Sequence, residues 1–202
     1  GLVASERVFN VLDRDDHIEN NGTRKPERLR GDVAFERVFF AYNARDYVLR
    51  DISFRIKAGE TLAIVGGTGS GKTTIINLLN RFYDIQQGHI RLDDVDITEY
   101  DLFAMRRRIA MVLQDVFLFS GTVMENITLR DSDITRAEVI EAAKMIGAHQ
   151  FIAKLPGGYD YKVMERGATL SMGQRQLISF VRALVFRPDI LILDEATSSI
   201  DP

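Results

Sequence analysis

Apolar and polar positions follow two different rhythms along the chain. Between Asp32 and Leu113 the apolar residues come in short runs broken by Gly, Asp, Asn and charged residues, which predicts strands. Val33-Ala34-Phe35 and Val38-Phe39-Phe40 predict one strand, and Tyr47 to Ile56 predicts a second. Ala58-Gly59 turns the chain into a strand at Thr61 to Val65, and His89 to Leu92 and Ile109 to Leu113 are further strands. From Asp133 the rhythm becomes helical. Thr135-x-x-Glu138 is a capping box ahead of Val139, Ile140, Ala142, Ala143 and Ile146, with Gly147 as terminator. Pro156-Gly157-Gly158 is a turn, and Ser171-x-x-Gln174 opens a second capped helix that runs to about Arg187, ahead of Pro188. Ile190 to Leu193 is a wholly apolar strand, expected to be buried, that ends in Asp194-Glu195. Strands alternating with helices predict an α/β core with parallel strands. The helical stretch between the last two strands, about 115 to 187, predicts a subdomain. Val3 to Leu12 reads as a short amphipathic helix, and the polar stretch Asp13 to Gly31 as a linker, so a globular domain is expected from Asp32.

Composition narrows the classes. A chain of 202 residues with 46% hydrophobic and 27% charged residues suits one globular domain with a subdomain. The formal net charge of −3 gives no basic field to attract nucleic acid, so no nucleic-acid partner is expected. The absence of cysteine removes disulfides, thiolate metal sites and thiol nucleophiles. No apolar run is long enough to span a bilayer, and no signal peptide is visible.

The chemistry sits at two strand ends. Gly66-Gly67-Thr68-Gly69-Ser70-Gly71-Lys72-Thr73-Thr74 fits G-x-x-x-x-G-K-[ST], with an apolar run before it and the helix-like Thr74 to Leu79 after it. Glycines let successive N–H groups turn inward around an anion, and the helix start aims its unpaired N–H groups at the same point. Lys72 adds a mobile charge for the outer phosphates, and the Thr73 hydroxyl is placed to ligate Mg²⁺. At the second strand end, Asp194 is the metal anchor and Glu195 the base for a water attacking the γ-phosphate. The alternative for this acidic pair is a strand-end turn capping the next helix.

Four more segments resemble the ATP-binding-cassette (ABC) ATPase family over Asp32 to Pro202. Leu170-Ser171-Met172-Gly173-Gln174 is similar to its L-S-G-G-Q signature, Gln114 to its Q-loop glutamine, and Ser198-Ser199-Ile200-Asp201 to its D-loop. Tyr42 matches the aromatic that stacks on adenine, although Tyr47 lies close by. The resemblance implies a P-loop core with a mostly parallel sheet, an antiparallel β subdomain on the N-terminal side, and a helical subdomain carrying the signature. It implies ATP and Mg²⁺ as cofactors, with Gln114 meeting the metal and the attacking water. It also implies a second ABC ATPase domain as partner, with Ser171, Met172, Gly173 and Gln174 facing the γ-phosphate bound by that partner.

Glu165-Arg166-Gly167 resembles an element of ABC exporters, and Ala4 to Leu12 resembles the cytosolic end of an exporter's last membrane helix. These imply a membrane domain N-terminal on the same polypeptide, residues 1 to 31 as its tail, and a place on the cytoplasmic face of the membrane. Two departures stand out. Met172 occupies the position of the signature's first glycine, and Met164 replaces a small residue, which suits one half of a heterodimer, with a homodimer as the alternative. The family's switch histidine follows the D-loop, whereas His17, His89 and His149 all precede it, so this stretch is expected to turn ATP over slowly. The rival readings are an ABC ATPase without a membrane domain and a regulatory module that holds ATP with little turnover.

Overall fold

In the first part of the chain, the two apolar runs of the opening strand are out of step by one residue, and the backbone absorbs the slip. Strand β1 (Val33–Phe40) buries Val33 and Phe35, exposes Glu36 and Arg37, then buries Val38 and Phe40. Its register against both neighbours shifts across this point, a bulge that returns the second run to the core face. The computed structural model describes residues 18–65, 71–113, 115–164 and 169–194. The expected helix Val3 to Leu12 and His17 lie outside them. The chain divides into two compact units, one drawn from Gly1–Glu27 and Gly31–Ala104, the other from Arg28–Arg30 and Met105–Pro202.

The first unit is built on a four-stranded antiparallel sheet, in the order β2-β1-β3-β4, of β1, β2 (Leu49–Ile56), β3 (Gln87–Leu92) and β4 (Val95–Asp96). Phe35 stacks on Phe54 at 4.6 Å between ring centroids, and Ile90, Leu92 and Leu78 close the core. Leu78 comes from helix α1 (Lys72–Leu79), and a short helix α2 (Leu102–Arg106) follows β4 in the chain. The polar stretch before β1 is tied down, because Thr23 and Arg24 donate their N–H groups to the Glu99 carbonyl, each at 3.1 Å.

Gly88 sits where β3 crosses the bulge, at φ +91°, and a Cβ there would lie 2.3 Å from the Arg37 carbonyl oxygen and 2.5 Å from that of Glu36. Gly88→Ala is expected to combine a left-handed penalty of about 1–2 kcal/mol with the cost of prising two strands apart. A urea midpoint lowered by about 2–4 kcal/mol of stability is the predicted result. An unchanged midpoint would show that β1 and β3 do not pack this closely.

The predicted strand at Thr61 to Val65 does not form. These residues carry no strand or helix, and Leu62, Ile64 and Val65 are exposed, Val65 to 87%. A strand needs ladder partners, and the sheet of its unit is composed of four other strands.

In the second unit, β5 (Ile109–Val112) and β8 (Ile190–Leu193) pair in parallel, Ile109 opposite Ile190 and Val112 opposite Leu193. Parallel pairing was expected, but among the described residues it is confined to these two strands. β8 is also less buried than its sequence suggests, because Leu191 and Leu193 are exposed on one face. Around the pair lie α3 (Val123–Thr128), α4 (Arg136–Ile146), α5 (His149–Lys154) and α6 (Met172–Val185), with a short ribbon of β6 (Gly121–Thr122) and β7 (Lys162–Val163). Ile178, Val181 and Val185 form one face of α6 and pack with Val123, Ile127, Val139 and Ile152. Both predicted capping boxes are present at Thr135 and Ser171, and Gly147 ends α4 in the left-handed conformation.

Candidate nucleotide site

Helix α1 begins without a side-chain cap, as the short helix α5 does after Ala148. Helices α3, α4 and α6 each close their first turn with a capping box, from Thr122 with Glu125, Thr135 with Glu138, and Ser171 with Gln174. At α1 the capping position is Gly71, with no side-chain cap and no acidic residue in the first turn. Gly71 stands at φ +92°, and a Cβ would press to 2.9 Å from Leu49 Cδ2, so glycine is needed for both conformation and space. The first bond within the helix runs from the Ile75 N–H to the Gly71 carbonyl at 3.0 Å. The helix itself offers no carbonyl to its first N–H groups, and no acidic residue in its first turn offsets the positive end of its dipole.

The next three residues divide their roles by exposure. Lys72 is half-buried, Thr73 is exposed, and Thr74 is buried. Thr74 Oγ1 lies 3.0 Å from the Tyr42 hydroxyl, and Asn77 Nδ2 donates to the same hydroxyl at 3.2 Å. Tyr42 is thereby tied to α1. Its ring meets Phe40 and Tyr83 edge-on at 4.8 and 4.9 Å, and the side chain stays partly open to solvent. Tyr47 packs edge-on against Phe39 at 5.9 Å, so of the two candidate tyrosines it is Tyr42 that touches the helix start. Gly66, Gly67, Thr68, Gly69 and Ser70 lie outside the described residues.

In the second unit, the Asp194 N–H donates to the Val112 carbonyl at 2.9 Å, extending the β5–β8 ladder by one rung. This puts Asp194, half-buried, at the C-terminal end of the parallel pair. Ser171 and Gln174 bond reciprocally: Gln174 N–H to Ser171 Oγ at 3.1 Å, and Ser171 N–H to Gln174 Oε1 at 3.0 Å. Met172 is 67% exposed, and Gly173 has open space where a Cβ would stand. Gln114, Glu195, Glu165-Arg166-Gly167 and Ser198 to Asp201 lie outside the described residues.

Two residues that sequence reasoning passed over organise the stretch after Gln114. The fully buried Asn126 accepts from the Phe119 N–H at 2.9 Å and donates to the Phe119 and Thr122 carbonyls, each at 3.0 Å. Arg182 on α6 donates through Nε to the Asn126 carbonyl at 2.7 Å and through Nη1 to the Phe117 carbonyl at 3.1 Å. Burial pulls its guanidinium below the ordinary arginine value. The T-x-x-E box at Thr122 was the readable signal for this region. Asp189, nearly buried, was missed as well. It pairs with Arg28 at 2.8 Å and accepts the Leu29 N–H at 2.9 Å, which holds Arg28–Arg30 in the second unit.

The donor chemistry suits Mg²⁺. Thr73 in the first unit offers a hydroxyl and Asp194 in the second a carboxylate, each a hard oxygen of the kind this ion takes. Among the described residues no cluster of three or more His, Asp or Glu exists.

Helix α1, opening behind Gly71 with Lys72 in its first turn, and Asp194, closing a parallel strand in the other unit, are features of a nucleotide-binding α/β protein. The family model described as ABC transporter matches residues 49–198, and the chain belongs to the ABC transporter family. It is 48% identical over 202 residues to YknV of Bacillus subtilis strain 168, described as an ABC transporter ATP-binding protein, covering all of this chain and 33% of that one. It is 46% identical over 201 residues to a fatty acid ABC transporter ATP-binding/permease protein of Mycobacterium bovis, covering all of this chain and 32% of that protein. A bacterial Atm1-family ABC exporter solved with ATP bound superposes with a TM-score of 0.82 at 40% identity, over 99% of this chain and 35% of that one. The chain thus spans about a third of the length of these relatives. No helix among the described residues is long and apolar enough to cross a membrane.

Proposed function

We propose that the chain is the ATP-hydrolysing motor domain of an ABC exporter. The observation that carries this reading is the open start of α1, where Gly71 in the left-handed conformation precedes Lys72 with no side-chain cap and no acid in the first turn. Residues Gly66 to Thr74 wrap the phosphates, Lys72 meets the β- and γ-oxygens, and Tyr42 lies against adenine. Thr73, Asp194 and Gln114 would each offer an oxygen to Mg²⁺, which when bound would neutralise the phosphate oxygens. Glu195 takes a proton from water as the oxygen attacks the γ-phosphorus. The bond from that phosphorus to the bridging oxygen breaks, and ADP and phosphate leave.

A second ABC domain supplies its signature to this nucleotide, and this chain's signature serves the other site. Ser171 Oγ accepts the Gln174 N–H, yet its own proton remains available to a phosphate oxygen. Met172, next in the chain, is exposed, and the open space at Gly173 leaves room for the partner's phosphate.

The ATP-binding/permease relatives are about three times as long as this chain, so a membrane domain is the expected companion. A cleft in the second unit supports this reading. A cleft of about 480 Å³ runs beside β5 and α6, floored by Ala110 and Ala183 and flanked by the exposed Phe117 and Leu129. A face with two large exposed apolar side chains is suited to a cytosolic segment of the membrane domain.

The test is ATP hydrolysis by the full-length protein in lipid vesicles. Glu195→Gln is expected to bind ATP and hold two domains together while losing turnover about 100-fold or more. Hydrolysis at the unsubstituted rate by that variant would overturn the reading.

A further inference from the structure

Tyr42 is held at both ends. At its root, Gln86 grips the main chain of Ala41, accepting the Ala41 N–H at 2.9 Å and donating through Nε2 to the Ala41 carbonyl at 2.8 Å. At its tip, the phenol hydroxyl meets Thr74 Oγ1 at 3.0 Å and accepts from Asn77 Nδ2 at 3.2 Å. Between these ends the ring touches Phe40 and Tyr83 edge-on and is 45% exposed, so it is fixed and still open to a ligand. Tyr42 lies past the end of β1, and the turn after it is closed by Asn43 Oδ1, which accepts the Asp46 N–H at 2.9 Å. No strand ladder sets the direction of this ring. The two grips and the edge contacts do.

Asn77 is the telling residue, because the helix does not ask for it. Helix α1 reads Lys72-Thr73-Thr74-Ile75-Ile76-Asn77-Leu78-Leu79, and beyond the first turn Asn77 is its one polar side chain. Asparagine is a poor helix former, since its amide competes for main-chain bonds. Its place three residues after Thr74 puts both side chains on one face, where they flank the same hydroxyl. A phenol hydroxyl has one proton and two acceptor sites. The Asn77 amide fills one acceptor site and leaves the proton free to meet Thr74 Oγ1. Tyr42 is in this way fastened to the helix that begins with Lys72.

We propose that Asn77 is a positioning residue for the base of the nucleotide: it holds the Tyr42 ring at a set place relative to the start of α1, so that base and triphosphate are aligned on one helix. A nucleotide then meets a ring that is ordered before it arrives, and less freedom is lost on binding. A ligand that reaches only the phosphate end gains nothing from Asn77. This rests on the reading above that Tyr42 lies against adenine and Lys72 meets the phosphates.

The experiment measures ATP hydrolysis by the full-length protein in lipid vesicles, with tripolyphosphate, which has no base, as a competing ligand. Asn77→Leu keeps the bulk and suits a helix but removes the donor. It is expected to raise KM for ATP about fivefold, the scale of one net hydrogen bond, with kcat changed by less than about twofold. The inhibition constant of tripolyphosphate should stay the same. Tyr42→Phe keeps the ring and loses the hydroxyl, so it should raise KM by a similar factor, and adding Asn77→Leu to it should raise KM no further. An unchanged KM in Asn77→Leu or in Tyr42→Phe, a further rise in the double variant, or a parallel rise in the tripolyphosphate constant overturns the positioning role and leaves Tyr42 against the base. Tyr42→Ala separates the two readings, since loss of the ring should raise KM more than loss of the hydroxyl. An unchanged KM in Tyr42→Ala overturns the placement of adenine on Tyr42, and the role of Asn77 with it.

Discussion

Replacing Lys72 by alanine is expected to reduce ATP hydrolysis by the full-length protein about 100- to 1,000-fold, while the fold is kept. The first turn of α1 has neither a side-chain cap nor an acid, so its N–H groups and dipole supply only a partial positive charge to a triphosphate. Lys72 is the first residue of that turn and adds a full charge at the same end. The negative charge on the oxygens around the breaking bond shifts during phosphoryl transfer, and a fixed cation there is worth several kcal/mol in the transition state. Alanine is the strongest helix former, so the helix should persist and thermal unfolding should move by about 0.5 kcal/mol or less. Lys72→Arg separates charge from shape: a planar guanidinium in place of a compact ammonium should recover only part of the rate. Phosphate release at saturating ATP, with nucleotide binding measured in parallel, decides the matter. Unaltered turnover in Lys72→Ala would remove the triphosphate from this helix start.

What could be read in advance, and what could not, follows from where each signal lives. The slip between Val33-Ala34-Phe35 and Val38-Phe39-Phe40 is a local pattern, and it became a single bulged strand. The boxes at Thr135 and Ser171 are local as well, because both bonding partners lie within four residues. The family signature was legible for the same reason, as contiguous motifs. Thr61 to Val65 was misread because an apolar run shows a need for cover without showing which element provides it, and its residues stand exposed outside any ladder. The alternation of β8, with Leu191 and Leu193 exposed, is equally invisible in four consecutive aliphatic residues. Arg182 and Asn126 left no mark at all. Their partners are mostly main-chain carbonyls, which every residue has, so the network exists only after the chain has folded.

The same network sets the largest stability effect expected outside the nucleotide site. Asn126→Ala removes a fully buried amide that satisfies the N–H and carbonyl of Phe119 and the carbonyl of Thr122. No water reaches this position to replace it, and each orphaned buried group costs about 1–3 kcal/mol. Several such groups share one site, so a loss of about 3–4 kcal/mol is expected, a large fraction of the ~5–15 kcal/mol that holds a typical domain together. Asn126→Asp tests the sign. It keeps the shape and the bond to the Phe119 N–H, but turns a carboxylate oxygen toward two carbonyls, so it should destabilise at least as much. Thr122→Ala removes only the neighbouring helix cap and should cost about 1 kcal/mol. Urea unfolding ranks the three variants. Hydrogen exchange at the Phe119 amide locates the damage, with protection there expected to fall before that of the α6 core around Ile178. If Asn126→Ala unfolds no more readily than Thr122→Ala, the amide is not the keystone of the segment that follows Gln114. The cleft wall at Phe117 must then be held by Arg182 alone.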